Sequence, residues 1–210
     1  ATATSIAGGS VGTIPYQSAA DTTAMLAAGT AGQLLQTNGA GAPTWVTPAV
    51  GGLTLGTPVA STSGTSIDFT GIPAGVKLII VSFRGVSITG SADNVIVRIG
   101  DAGGIEAAGY SGSGCRFQNT TLNRRAFSTG FGVSENITSN VYLHGTVILA
   151  LENSSAFTWT SAASLSQTNP HESRIASGAK SLSQELSQVR ITTEAGTATF
   201  SQGELNISYI

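Results

Sequence analysis

The sequence predicts an all-β protein: an antiparallel, jelly-roll-like β-sandwich over residues 51–210, preceded by a small extended segment over residues 1–50. Three observations lead there. Strand-length apolar runs recur at regular spacing after residue 51, and several alternate with period two, which sends successive side chains to opposite faces of a sheet. No stretch carries the repeated apolar rows of an amphipathic helix of useful length. The composition, 27 glycines with 10% charged residues, is that of short strands joined by many turns.

In the first segment, Ala, Gly and Thr dominate. Larger apolar side chains appear only at Ile6, Val11, Ile14, Tyr16, Met25, Leu26, Leu34, Leu35, Trp45, Val46 and Val50. "TTAMLAAG" (22–29) reads as a turn or two of helix ended by Gly29. "QLLQT" and "PTWVT" read as a hairpin around Asn38-Gly39-Ala40-Gly41-Ala42. Segments below about 40 residues usually need disulfides, metals or partners to fold. The one cysteine, Cys115, lies outside this segment and reads as a small half-buried residue, so partners remain.

"TPAVGG" (47–52) is the joint. Beyond it, "GIPAGV" (71–76) places Pro73 and Gly75 at the second and fourth positions of a type I turn. "NVIVRIG" (94–100) alternates Val95, Val97 and Ile99 against Asn94, Ile96 and Arg98. "ELNISYI" (204–210) sets Leu205, Ile207 and Tyr209 against Glu204, Asn206 and Ser208. "GVKLIIVSFRGVSI" (75–88) and "VYLHGTVILALEN" (141–153) are apolar on both faces and belong at the centre of a sheet. "SLSQELSQVRI" (181–191) lacks a third apolar row and ends in a strand. The count is nine to eleven strands.

Charge and motifs narrow the function. A net charge of −2 gives no broad field for nucleic acid, and no apolar run approaches the roughly 20 residues of a spanning helix. The start at Ala1 shows no signal-peptide pattern and suggests a processed chain or a fragment. Four N-x-S/T triplets, at Asn119, Asn136, Asn153 and Asn206, are expected by chance in so polar a chain. His144 sits inside a strand-like run and reads as structural; His171 lies in the polar loop "QTNPHESR". No metal-ligand spacing occurs, and the G-x-S-x-G match at Gly8-Gly9-Ser10-Val11-Gly12 lacks the strand–turn–helix setting of a nucleophile, so neither metal nor other cofactor nor catalytic residue is assigned. "GYSGSG" (109–114) neither follows a parallel strand nor opens a helix and is set aside. Asp93, Asp101 and Glu106 read as turn and strand-edge solubility. Trp159 reads as core.

"NRRAF" (123–127), the densest positive spot, reads either as a solvated sheet edge or as a two-arginine grip on an acidic sugar or phosphate. Near loops and strand ends, Tyr110, Phe131, Trp159 and His171 offer flat rings that could stack on a sugar, with core packing the stronger reading for Trp159. The loops around Tyr110–Phe127 and Gln167–Arg174 are therefore the candidate ligand contacts, with Tyr110, Arg116, Asn123, Arg124, Arg125, Asn169 and His171 as named residues.

"GTIPYQSAADTTAMLAAGTAGQLLQTNGAGAPTWV" (12–46) resembles a segment common in bacteriophage tail fibres, where a G-x-[IL]-P-Y-Q start and a G-Q-[VL]-L-x-x-N-G-x-x-x-P-x-W end precede a distal domain. "IDFTGIPAGVKLIIVSFRGVS" (67–87), "VRIGDAGGIEAAGY" (97–110) and "LSQVRITTEAGTATFSQGELNISYI" (186–210) resemble the C-terminal head of such fibres. The resemblance implies a trimer at the fibre tip, with residues 1–50 an intertwined trimerising neck and 51–210 a receptor-binding head. Ile14, Tyr16, Leu26, Leu34, Leu35 and Trp45 would then form the trimer interface. The repeated His-x-His pattern of metal-threaded tips is missing.

The expectation is a virion protein of the tail fibre, assembled in the host cytoplasm and acting outside the cell. It would bind bacterial surface polysaccharide (lipopolysaccharide or capsule) or another outer-membrane component, and would join upstream fibre shaft or other tail proteins. Nucleic-acid binding and membrane insertion are not expected, and neither is catalysis. A fibre-borne polysaccharide-degrading enzyme and a purely structural tip adaptor are the alternatives.

Overall fold

The structure, a computed structural model, describes residues 9–48, 51–90, 92–118, 121–169 and 171–210. Ile6, Val50 and part of the Asn119 triplet lie outside them. Every regular element among the described residues is a strand, and strand pairing is antiparallel throughout. Two compact units divide the chain, Ala1–Gly51 and Gly52–Ile210.

The first unit is two hairpins: β1 (Ile14–Ala19) with β2 (Thr22–Leu26), and β3 (Leu34–Asn38) with β4 (Gly41–Val46). The helix expected over 22–29 is a strand instead. Ile14 stands opposite Leu26 and Tyr16 opposite Ala24, and Gln17 Nε2 donates to Thr23 Oγ1 across the pair (3.0 Å). A run this short cannot meet the cost of nucleating a helix, and its two leading threonines favour a pleated neighbour. Gly29 has a different role from the helix stop expected of it. A Cβ there would lie 2.6 Å from the Trp45 ring, and the indole N–H donates to Ala27 O at 2.7 Å. Trp45 is thus partly covered by its own chain. No described residue of this unit is buried: Ile14, Tyr16, Leu26 and Trp45 are half-exposed, Leu34 is 59% exposed and Leu35 45%.

In the second unit there are β5 (Thr54–Leu55), β6 (Val59–Ala60), β7 (Ser66–Thr70), β8 (Leu78–Thr89), β9 (Asp93–Asp101), β10 (Gly104–Ile105) and β11 (Ser111–Gln118). The remainder are β12 (Thr121–Phe127), β13 (Phe131–Ile137), β14 (Tyr142–Asn153), β15 (Thr158–Thr168), β16 (Glu172–Ser181), β17 (Gln188–Thr193) and β18 (Thr199–Tyr209). These fourteen exceed the expected nine to eleven, chiefly because β5, β6 and β10 have two residues each, too few to show a period.

Two sheets pack as a sandwich. The larger runs β12-β11-β16-β15-β14-β8-β18-β5, with β6 also on β18; the smaller runs β7-β17-β9, with β10 and β13 sharing the far side of β9. The two long apolar runs, β8 and β14, pair side by side in the middle of the larger sheet, as their composition requires. Ile79, Val81, Leu143, Val147, Leu149 and Trp159 from it meet Val95, Val97, Ile99, Val189 and Ile191 from the smaller sheet in one core.

A bulge explains why β8 looks apolar on both faces. Ile79, Val81 and Phe83 point inward, then Gly85 (φ +66°) adds one residue, and Val86 and Ile88 point inward on the opposite parity. The Gly85 N–H donates to His144 Nδ1 (3.2 Å), so His144 is a hydrogen-bonded strand residue. Ile96 is fully buried although it lies on the polar face of β9, because Gly130 lets the loop before β13 settle against it. The turn at 71–76 is shifted by one residue: Ala74-Gly75 form its corner, with Gly75 at φ +86°, the third position that a type II turn reserves for glycine.

Asp101 departs from the solubility role expected of it. It is buried, accepts hydrogen bonds from Ser183 Oγ (2.7 Å), Gly103 N–H (2.8 Å) and Gln184 N–H (3.1 Å), and so anchors the 182–187 connection to β9. The Ser183 hydroxyl and these backbone donors hold its carboxyl below the usual range despite burial.

Candidate functional site: a trough on the large sheet

The two loops singled out in the sequence become neighbours. β11–β12 and β15–β16 are hairpins, and β11 pairs with β16 from Ser111 opposite Ala179 to Phe117 opposite Ser173, so both hairpin tips lie at one end of the larger sheet. Asn169 supplies the left-handed residue (φ 61°) of the second tip and donates through Nδ2 to Asn140 O (3.1 Å).

Period two then decides which side chains face outward. These are Ser111, Ser113, Cys115 and Phe117 on β11; Ser173, Ile175, Ser177 and Ala179 on β16; and Thr160, Ala162, Ser164, Ser166 and Thr168 on β15. Nearly all are small, so this face is a trough. Three concavities follow one another along the strands. The first, about 330 Å³, is lined by Phe117, Ser166, Thr168, His171 and Ser173 among others. The second, about 440 Å³, involves Ser113, Cys115, Arg124, Ala162, Ile175 and Ser177. The third, about 530 Å³, runs past Ser111, Thr160 and Ala179. From Ser173 to Ala179 the strand rise gives a length of about 20 Å.

A buried ionic cluster fixes the floor at the tip end. Arg174, 2% exposed, donates to Glu135 O (2.6 Å), to Gln167 Oε1 and to Glu172 Oε2 (3.0 Å). Glu172, with a side chain 1% exposed, also faces Arg116 Nε at 3.7 Å. Burial lowers the Arg174 pKa to about 10, against the raising effect of Glu172. Strands β13, β15 and β16 are thereby tied at one point, directly under the hairpin tips.

The structure distributes the sequence candidates unevenly. His171 lines the trough at its tip end, and Arg124 stands on its wall. Arg125 does not share Arg124's position: adjacent strand residues face opposite ways, and Arg125 pairs with Glu194 at 2.7 Å. The two-arginine grip is therefore corrected to a single guanidinium. Arg116 and Asn123 stand opposite each other on the inward-facing side of the hairpin, where Arg116 belongs to the ionic cluster. Tyr110 is a core residue, 6% exposed, packed edge-on against Phe131 at 5.0 Å and beneath Lys180. Its hydroxyl accepts from Ile99 N–H (2.8 Å) and donates to Glu106 O (3.0 Å), and burial raises its pKa strongly. It offers nothing to a ligand. Asn169 shapes the tip turn.

Ser166 and Ser177 lie outside the two expected loops, and Phe117, Ser113 and Ser173 lie within them but were not among the named contacts. Their signal was the alternation in "SGSGCRFQ" and "ESRIASGAKS", masked because the outward set is polar and the inward set contains glycines and charges. Chemically, the trough offers many single hydroxyls, a phenyl face 47% exposed at Phe117, the His171 imidazole and one guanidinium. No group of three His, Cys, Asp or Glu among the described residues is placed to hold a metal. In comparisons with known proteins the chain matches no family model, no curated protein and no solved structure.

Proposed function

We propose that the protein is the distal, receptor-binding part of a bacteriophage tail fibre, working as a homotrimer that attaches to a bacterial surface glycan. The observation that carries this reading is the trough: two hairpins supply, on one face, hydroxyls at eight of the thirteen outward positions of β11, β15 and β16, beside an exposed aromatic. Such a surface suits a ligand that is itself a chain of hydroxyls with apolar ring faces. Glu172, the carboxylate at its tip end, is already held by two arginines, which fits attachment without bond cleavage. The first unit supports self-association, because paired strands with no buried residue lack the core that would stabilise them alone. Weak sites repeated three times per fibre gain strength through effective concentration.

Labelled whole chain is mixed with bacterial cells bearing defined surface polysaccharides, and bound protein is measured with and without the purified polysaccharide as competitor. Saturable binding that one polysaccharide abolishes is the expected result. Absence of binding to every strain by a protein whose scattering mass is three times 21.1 kDa overturns the attachment reading.

A further inference from the structure

We propose that the trough contains a subsite for an anionic group carried by a saccharide, a carboxylate or a phosphate, with the Arg124 guanidinium as its receptor. This rests on the glycan reading and narrows it. Arg124 lies on β12 directly opposite Cys115 of β11, on the wall of the 440 Å³ concavity. Among the described residues it makes no ion pair, a state shared by Lys77 and Arg98 away from the trough, whereas Arg84, Arg116, Arg125, Arg174, Lys180 and Arg190 each face a carboxylate.

No acid stands at the outward positions of the strands around it. The outward positions of β11, β16 and β15 are Ser, Thr, Ala, Ile, Cys and Phe, so Arg124 supplies the one formal charge among them and their β12 neighbour positions Leu122 and Ala126. A charge with no acid beside it keeps its full attraction for an anion, whereas the same charge in a mixed surface is partly cancelled. The fork of N–H donors fits two anionic oxygens at once. Ser113 and Ser177, directly opposite each other across the β11–β16 pair, stand where ring hydroxyls need partners, and Ile175 and Ala162 give the C–H face of a ring an apolar floor. An acidic sugar satisfies all three features together; a neutral sugar leaves the guanidinium unmatched, and a bare inorganic anion leaves the floor unused.

The test uses the whole chain and three soluble probes, glucuronate, its methyl ester and glucose 6-phosphate, each titrated while backbone amide resonances are followed by NMR. Glucuronate or glucose 6-phosphate should shift the amides of Ser113, Cys115, Arg124 and Ser177 and bind at least tenfold more tightly than the methyl ester, with affinity falling as salt rises. Which of the two binds more tightly identifies carboxylate or phosphate as the preferred anion. R124Q should abolish that advantage, and R124K should restore part of it. Equal binding of ester and acid, or an unaltered preference in R124Q, overturns the anionic subsite while leaving a neutral glycan trough standing. No response to any probe at this face overturns the subsite as well, and cell attachment by the same preparation then decides the broader reading separately.

Discussion

Removal of the Arg174 guanidinium tests how the trough floor is held. In Arg174→Met the apolar stem is kept and three acceptors lose their donor: Glu135 O, Gln167 Oε1 and Glu172 Oε2. Glu172, almost fully buried, is left with Arg116 at 3.7 Å as its remaining counter-charge. Breaking a buried ion pair from one side costs about 3–5 kcal/mol. For a urea slope of about 2 kcal/mol per molar, the unfolding midpoint of the larger unit falls by about 1.5–2.5 M. Burial already lowers the guanidinium's pKa to about 10, which says that the charged form is held at a cost that Glu172 only partly offsets. Replacing both members, Arg174→Met with Glu172→Met, should therefore recover most of the loss. Unfolding is followed by Trp159 fluorescence in a Trp45→Phe background, so that the signal reports the second unit. A single substitution that moves the midpoint by less than about 0.5 M, or a double substitution no more stable than the single one, refutes the reasoning.

Asp101→Asn should lower stability at pH 7 by about 1.5–3 kcal/mol, the range for hydrogen bonds to a charged group. Because the folded pKa of Asp101 lies below its unfolded value of 3.8, its contribution is present in full above pH 4 to 5 and is lost as pH falls through the folded value. The wild type should therefore converge on the Asn variant in acid, as read by urea midpoints at successive pH values. Phe117→Ala removes a ring that is 47% exposed, so it should leave the melting temperature within about 2 °C and weaken cell attachment about tenfold; loss of fold instead would make Phe117 a core residue. Leu34→Ser and Leu35→Ser should each reduce the scattering mass at micromolar concentration, and a mass unaltered in both variants removes these leucines from any interface.

The sheets were legible because their buried rows are long and apolar: β9 and β18 announce themselves through apolar residues at period two, and β8 and β14 through Val, Ile and Leu on both faces. The trough was not, for a physical reason. Most outward residues of β11, β15 and β16 are small and many are hydroxyls, and solvent-facing strands of this kind look like loop sequence. The tips were located from loop chemistry, but which residues they present depends on register. Arg124 and Arg125 differ by one position and by a whole face of the sheet. Tyr110 carried the same ambiguity: a tyrosine beside glycines reads as exposed, and only the pairing of its hydroxyl with Ile99 and Glu106 makes it core. Likewise the bulge at Gly85 cannot be inferred from a glycine alone, since its consequence, the parity switch between Phe83 and Val86, requires the partner strands.

The first unit bears on how many copies the proposed self-association would bring together. Leu34 and Leu35 are consecutive residues of β3, so they occupy opposite faces of one hairpin, Leu34 beside Val46 and Leu35 beside Trp45. Gly29 and Ala27 cover part of the Trp45 face, yet both leucines remain largely exposed. A twofold dimer buries one patch against its own copy and would leave the other face of this two-stranded ribbon in water. Covering both faces with copies of the same chain needs two different contacts per copy, each face meeting the opposite face of a neighbour. Contacts of that kind close into a ring of three or more, or else propagate as a filament. Three is the smallest closed solution, and the abundance of Ala and Gly in residues 9–48 permits the close backbone approach that so small a ring demands. The separate leucine substitutions distinguish these cases: in a ring both faces matter equally, whereas in a dimer only one of the two variants loses mass.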